Sequence, residues 1–317
     1  MPPALDLRSL DAPVVQAGMG SIARHELAAA VSEAGGLGTI AGVRASITAE
    51  IAAARSLTAR PIAVNLLLPF LRAGDAEAAG AADAIVTFWG PPRRLAANTW
   101  IHQCGSVEEA KAAAAAGADM LIAQGVEAGG HVRGSMPMLE LLGRVRAAVK
   151  IPVLAAGGIV DVSGVKAALD AGAAAAVAGT RFLLSDECRA HPEYKQRCLD
   201  ARETILTELF GLGWPHAPHR VIANDATRRW LGGDPRGPRW IRAANRVTAP
   251  LVNCIPPSVQ ARAVSSQRPF QPLLSPHPPT DDGPAGLLDS GPLYAGMNVA
   301  RVTDVRPAAE LLKALTP

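Results

Sequence analysis

The sequence predicts an α/β fold, a (β/α)8 (TIM) barrel with an appended, mainly helical C-terminal cap segment. Three observations carry this. From residue 13 to about residue 184, eight short β-branched runs alternate with alanine-rich stretches at roughly 20- to 25-residue intervals, the rhythm of a parallel sheet. Glycine clusters follow several of the runs directly. Beyond about residue 185 the rhythm gives way to charged and proline-rich sequence. Eight consecutive units favour a closed barrel over an open doubly wound sheet, which usually has fewer strands and a single switch point.

The strands expected, in order, are PVVQA (13–17), LGTIA (37–41), PIAVNL (61–66), AIVTF (84–88), WIHQC (100–104), DMLIA (119–123), PVLAA (152–156) and AAAVAG (174–179). Helices are expected over 24–34, 106–117, 137–149 and 161–172. Ser106 with Glu109 three residues later reads as a capping box, and Gly117 and Gly172 stand where helices stop. GGLGTIAG (35–42) follows a helix and enters a strand, the reverse of a dinucleotide fingerprint, so it reads as a helix stop. PEYKQRCLDARETILTELFG (192–211) reads as a charged helical stretch, and 255–292, rich in Pro, Ser, Gly and Asp, as a long loop or linker. LYAGMNVARVTDVRPAAELLKAL returns to order, with a proline near the start of its helix. The division expected is 1–184 plus 293–317 for the barrel and 185–292 for the appended helical and Pro-rich segment.

At 317 residues, 49% hydrophobic and only 4% aromatic, the core must be built from Ala, Val, Leu and Ile. The formal charge is +3 with the two signs interspersed, which does not suggest nucleic acid. Cys104, Cys188, Cys198 and Cys254 form no C-x-x-C pair, so neither a disulfide framework nor a zinc ribbon is indicated. The N-terminus lacks the pattern of a secretory signal, and the apolar stretches are too short or interrupted to span a bilayer. The expectation is a soluble, cytoplasmic protein acting on a small molecule, without a nucleic-acid or membrane partner and with a homodimer as the default assembly.

The glycine clusters AGMG, QGVEAGGH, AAGGI and AGTRF follow the first, sixth, seventh and eighth strands. Glycine there permits φ > 0 and close backbone approach to a ligand, though each cluster alone also fits a tight βα turn. Gly157, Gly158, Gly179 and Thr180 are the most informative, because barrels of this kind often bind a phosphate between the loops after strands seven and eight. A phosphorylated cofactor or substrate is expected from position alone. His131 reads as a general base or as an exposed loop histidine, and its flanking glycines and rim position favour the first. His25 is expected at the surface, His102 packed in a strand, and His216 and His219 as a loop pair; H-A-P-H has no acidic or thiol neighbour to make a metal site, and no metal is expected. Asn65 and Gln124 end strands three and six, where an amide suits the N–C=O edge of a flavin or is a satisfied strand-end group. Glu127 either orients His131 or pairs with Arg133 at the surface, with the second reading carrying more weight.

The runs PVVQAGMGSIARHELAAAVSEAGGLGTI, VNLLLPF (64–70), AQGVEAGGHVRG (123–134), IPVLAAGGI (151–159) and AGTRFLLSDEC (178–188) together resemble the nitronate monooxygenase family, formerly called 2-nitropropane dioxygenases. The likeness covers most of residues 12–188 and LYAGMNVA. It implies a barrel that binds FMN without a covalent bond. Gly157, Gly158, Gly179 and Thr180 would then hold the FMN phosphate, and Gly18, Met19, Asn65 and Gln124 would line the isoalloxazine. Gly129 and Gly130 would belong to the cofactor loop, and His131, in the A-G-G-H motif, would be the catalytic base or substrate-orienting residue. The implied reaction is oxidation of an alkyl nitronate by FMN and O2 to a carbonyl compound and nitrite. Ala295-Gly296-Met297 departs from the family's frequent A-G-Q, and FWGPPRR (88–94) carries an aromatic pair and two prolines. Flavin-dependent NAD(P)H enoyl-acyl-carrier-protein reductases share the E-A-G-G-H run and are the main alternative. A quinone reductase, or a flavin-binding protein without turnover of its own, stands beside them.

Overall fold

A computed structural model describes residues 5–42, 46–255 and 257–317. Residues 1–4 and 43–45, within the expected barrel segment, and Pro256, within the expected linker, lie outside the described residues. The chain divides into two compact units. One holds residues 1–128, 133–188 and 304–317; the other holds 129–132 and 189–303.

The first unit carries eight parallel strands: β1 (Val14–Gln16), β2 (Gly38–Ala41), β3 (Ile62–Leu67), β4 (Ala84–Phe88), β5 (Trp100–Cys104), β6 (Met120–Gln124) and, after the two-residue β7 (Gly130–His131) of the second unit, β8 (Val153–Ala156) and β9 (Ala176–Ala178). Every strand expected from the sequence is present. Neighbours run β1-β9-β8-β6-β5-β4-β3-β2, and a parallel bridge between Val15 and Leu37 joins the two ends, so the sheet closes on itself. Before residue 189 the α-helices of this unit are α1 (His25–Glu33), α2 (Ile47–Leu57), α3 (Asp75–Ala79), α4 (Val107–Ala115), α5 (Met138–Ala148), α6 (Val162–Asp170) and the short α7 (Thr180–Leu183).

Strand alternation sorts the side chains into two layers. Val15, Ala63, Val86, Ile101, Ile122, Leu154, Ala156 and Val177 meet in one apolar cluster inside the barrel, joined by Leu5 and Leu7 from the N-terminal segment. Ile62, Val64 and Leu66 face the other way, onto Ala28, Ile47, Ile51 and Ala54 of α1 and α2. Small aliphatic residues suit this layering because parallel strands covered on both faces are apolar almost throughout. The approach of helix to sheet is close: a Cβ on Gly38 would collide with the Ala28 carbonyl.

The helix caps follow the sequence logic. Ser106 accepts from Glu109 N at the start of α4 (3.2 Å), but the Glu109 carboxylate reaches back to Gly105 N (2.9 Å), one residue before the cap. Gly117 and Gly172 adopt φ of +86° and +88° just past their helices, the left-handed stop that glycine allows.

The second unit contains α8 (Pro192–Asp200), β10 (Ile205–Thr207), β11 (His219–Val221), α9 (Asp225–Trp230), α10 (Arg239–Cys254), α11 (Pro257–Ser265) and α12 (Leu287–Ser290). Two expectations are corrected here. The stretch 192–211 is not one helix: it stops at Asp200 and continues as β10, whose partner β11 is contributed from further along the chain. The stretch 255–292 is not a bare linker, since it holds α11 and α12 and buries Gln267, which receives Ser275 N (2.8 Å). The closing helix α13 (Ala308–Leu315) returns to the first unit, with Pro307 at its N-cap.

Candidate functional site

The candidate residues fall in both units, and each set has its own geometry. In the first unit, alternation places Asn65 on the same barrel-interior face as Ala63, and Gln124 on that of Met120 and Ile122, both at the C-terminal ends of their strands. The Asn65 amide donates to Val86 O (3.3 Å), and Gln124 Oε1 accepts from Arg133 N (3.1 Å). A Cβ on Gly18 would lie 2.6 Å from Asn65 Cβ, so only glycine fits where the loop after β1 passes the amide. Gly179 faces Ala17 and the Met19 sulfur at ordinary contact distance. Gly18, Met19, Asn65 and Gly179 are therefore brought together at the C-terminal end of the barrel. Gly157 and Gly158 follow β8 with φ of +130° and +67°, conformations that an L side chain rarely adopts. Thr180 is buried at the first position of α7 with Gly179 as the preceding cap.

The same alternation turns His102 away from the interior. It is buried on the outer face of the sheet, where Thr87 Oγ1 lies 2.8 Å from its Nδ1 and also accepts from Trp100 Nε1 (2.7 Å). His25 is not a plain surface residue. It opens α1 half-buried, with its backbone N–H and Nδ1 on the buried Glu50 carboxylate, which Arg24 also holds.

Glu127 and Arg133 do not pair. Glu127 accepts from Met138 N at the start of α5 (3.0 Å), whereas Arg133 Nε is bonded to Glu109 (2.6 Å) and its guanidinium lies 4.9 Å above the Trp89 ring. Trp89 takes a left-handed φ of +63° in the FWGPPRR loop, a strained conformation for a bulky side chain. These contacts, with the Gln124–Arg133 bond, fix Glu127 and Arg133 within the first unit.

In the second unit, Gly130 and His131 form β7, paired antiparallel with β11 so that His131 stands opposite His219. The His131 imidazole is stacked on Trp214 (centroids 3.8 Å apart, planes at 24°), with His219 at 5.2 Å and Tyr294 at 5.6 Å. A Cβ on Gly129 would collide with the Ala295–Gly296 backbone (2.6 Å), and Gly130 has φ of +72°, so the two glycines let β7 lie against that segment and turn. Burial, and then the His219 ring, hold His131 well below the ordinary histidine range, so its imidazole is neutral near pH 7. His219 is not in a loop: it is fully buried in β11, and Phe210 N donates to its Nε2 (3.3 Å). Its proton therefore sits on Nδ1, directed at Ala217 O (2.9 Å). Among the described residues no group of His, Cys, Asp and Glu is arranged to hold a metal ion.

The family model described as nitronate monooxygenase matches residues 2–92 and 92–317. The chain belongs to the nitronate monooxygenase family. It is an oxidoreductase by that membership. A nitronate monooxygenase of Pseudomonas aeruginosa is 33% identical, with 69% of this chain and 80% of that protein covered. The (3aS,4S,5R,7aS)-5-hydroxy-7a-methyl-1-oxo-octahydro-1H-indene-4-carboxyl-CoA dehydrogenase of Mycobacterium tuberculosis is 34% identical over 73% of this chain and 68% of its own length. Among solved structures, FabK from Thermotoga maritima superposes with a TM-score of 0.77 at 27% identity, covering 98% of this chain and 93% of that one. A nitroalkane oxidase from Streptomyces ansochromogenes gives 0.73 at 31%, covering 98% and 96%.

Within the nitronate monooxygenase reading, three neighbours of His131 were not singled out as site residues by the sequence: Trp214, His219 and Tyr294. The available signals were the aromatic and histidine density of WPHAPH and the position of Tyr294 immediately before Ala295-Gly296-Met297. Met297 itself is 47% exposed.

Proposed function

We propose that this member of the nitronate monooxygenase family oxidises alkyl nitronates with bound FMN and O2 to a carbonyl compound and nitrite. The observation that carries the reading is His131 of the A-G-G-H motif, held in β7 as a neutral imidazole against Trp214. The residues at the barrel end fit a flavin phosphate. Gly157 and Gly158 turn the chain after β8 in positive-φ conformations, and Gly179 and Thr180 begin a helix beside Met19. Asn65 and Gln124 present amides on the interior face, where they would meet the ring's N–C=O edge. When bound, the flavin supplies the redox chemistry, taking electrons from the nitronate and passing them to O2.

His131 would orient the substrate. A neutral ring donates one N–H to an anionic nitro oxygen without a proton transfer, and a desolvated site strengthens that bond. Removing a proton from a neutral nitroalkane would require the imidazolium that burial disfavours. The chain is therefore read as an oxidase of nitronates in preference to nitroalkanes.

The test is anaerobic spectroscopy of the purified protein, with propyl nitronate in one cuvette and NADH or NADPH in another. Flavin bleaching by nitronate but not by nicotinamide is expected. Bleaching by nicotinamide alone would transfer the assignment to a reductase, and a protein unable to take up FMN would overturn both.

A further inference from the structure

The near-neutral balance of the whole chain conceals a segregation of charge. Residues 228–268 contain eight arginines and a single acid, Asp234, a local net charge of +7 against +3 for all 317 residues. Much of this segment is α10 and α11. The inner face of α10 is buried through Ile241, Asn245 and Ala249. Its helical period places Trp240, Val247 and Leu251 on another stripe, and these are 55%, 73% and 71% exposed. Val259 on α11 is 54% exposed, and Phe270 beyond it 62%. Trp240 is fixed edge-on against Trp230 (5.8 Å, 74°), and Arg229 lies over the Trp230 ring.

Three cations beside the apolar side chains are uncommitted. Arg242 is taken by Asp234 and Arg228 by Asp225, but exposed Arg239 and Arg246 on α10 and Arg262 on α11 make no ion pair among the described residues. A stripe of large apolar side chains left in water beside unpaired guanidinium groups marks a face that something covers.

The charge decides what covers it. A second copy across a twofold axis would bring this face against itself, arginine on arginine, and Asp234 is already engaged. Nucleic acid would neutralise the arginines but offers nothing to Val247 and Leu251. An anionic lipid surface answers both: headgroups for the guanidinium groups, the acyl boundary for the aliphatic side chains, and the interfacial layer for Trp240. We infer that the α10–α11 face docks on anionic membrane surfaces. The contact is peripheral, since none of the described helices is long and apolar enough to cross a membrane.

The test is co-sedimentation of the full chain with vesicles of phosphatidylcholine alone or of equimolar phosphatidylcholine and phosphatidylglycerol, at low and high salt. Binding to the anionic vesicles only, weakened by salt, is expected. The Arg239→Gln/Arg246→Gln variant should lose affinity by roughly 25-fold, at about fivefold for each cation at an anionic surface. Val247→Ser/Leu251→Ser should also weaken binding, whereas Lys166→Gln, an exposed cation elsewhere, should not. All these positions are exposed, and matching melting curves will establish that the variants fold. Equal binding to both vesicle types, no binding, or unchanged binding by the arginine variant would overturn the inference. So would concentration-dependent dimerisation that Leu251→Ser abolishes, which would assign the face to a second copy.

Discussion

His131 and Trp214 are stacked, ring centroids 3.8 Å apart and planes 24° from parallel, although 83 positions separate them in the chain. The indole fixes the plane of the imidazole and covers one of its faces. An aromatic pair of this kind contributes about 0.5–1.5 kcal/mol beyond its burial. Trp214→Leu is therefore expected to keep its flavin and to lower kcat/KM for a nitronate by about tenfold, with Trp214→Phe retaining most of the rate. Equal kinetics in the leucine variant would show that the stack does not position His131.

His131→Ala separates binding from turnover. The glycines proposed to hold the phosphate lie on other loops, so flavin content is expected to stay at the level of the unsubstituted chain while nitronate oxidation falls by about 100-fold, as for loss of a well-placed polar group. Steady-state rates normalised to flavin absorbance make the measurement. Unchanged turnover would remove His131 from its role.

The pH profile gives a sharper reading. Because burial and the neighbouring His219 lower the His131 pKa, kcat/KM for a preformed nitronate should be flat through pH 6.5 and fall only at more acidic pH. A protonation limb centred near 6.5 or above would place His131 in water and contradict the packing around it.

Two buried histidines bear on acid stability. His102 and His219 are each lowered from 6.5 to about 4, chiefly by burial. A histidine held neutral in the fold takes up its proton first in the unfolded chain. Its contribution is therefore complete above about pH 6.5 and is lost as the pH falls towards 4, on the order of 3 kcal/mol for each. Thermal melts at pH 7 and pH 5 should show the decline, and His102→Gln should flatten it. A pH-independent Tm across this range would refute the assignment.

Gly179 offers a clean test of the proposed phosphate site. A Cβ there meets Ala17 and Met19 at 3.7 and 3.9 Å, ordinary contact, so Gly179→Ala should melt like the unsubstituted chain. Flavin retained after desalting is nevertheless expected to fall in Gly179→Val and, more strongly, in Gly158→Val, where φ of +67° adds backbone strain. Full occupancy in all three variants would contradict the assignment.

The barrel was readable because its evidence is local. Each strand announces itself by a β-branched run, each helix by its caps, and the parity of Ala63 and Asn65, or of Ile122 and Gln124, follows from a period of two. The second unit was less legible. Ile205–Thr207 continues a charged helical pattern and becomes a strand only because His219–Val221 pairs with it, and helix propensity yields to that pairing. Glu127 and Arg133, close in sequence and opposite in charge, suggested each other; folding instead gave the carboxylate to Met138 N and the guanidinium to Glu109 and Trp89.

By itself the sequence determined the eight-stranded barrel, its glycine-bearing rim and the histidine loop, since these rest on periodicity and on residues that permit unusual backbone angles. Only the tertiary structure decided what surrounds His131. Trp214, His219 and Tyr294 reach it through pairing between strands and packing between segments far apart in the chain, and such contacts leave no mark in local sequence because their energy exists only once the chain has closed those loops.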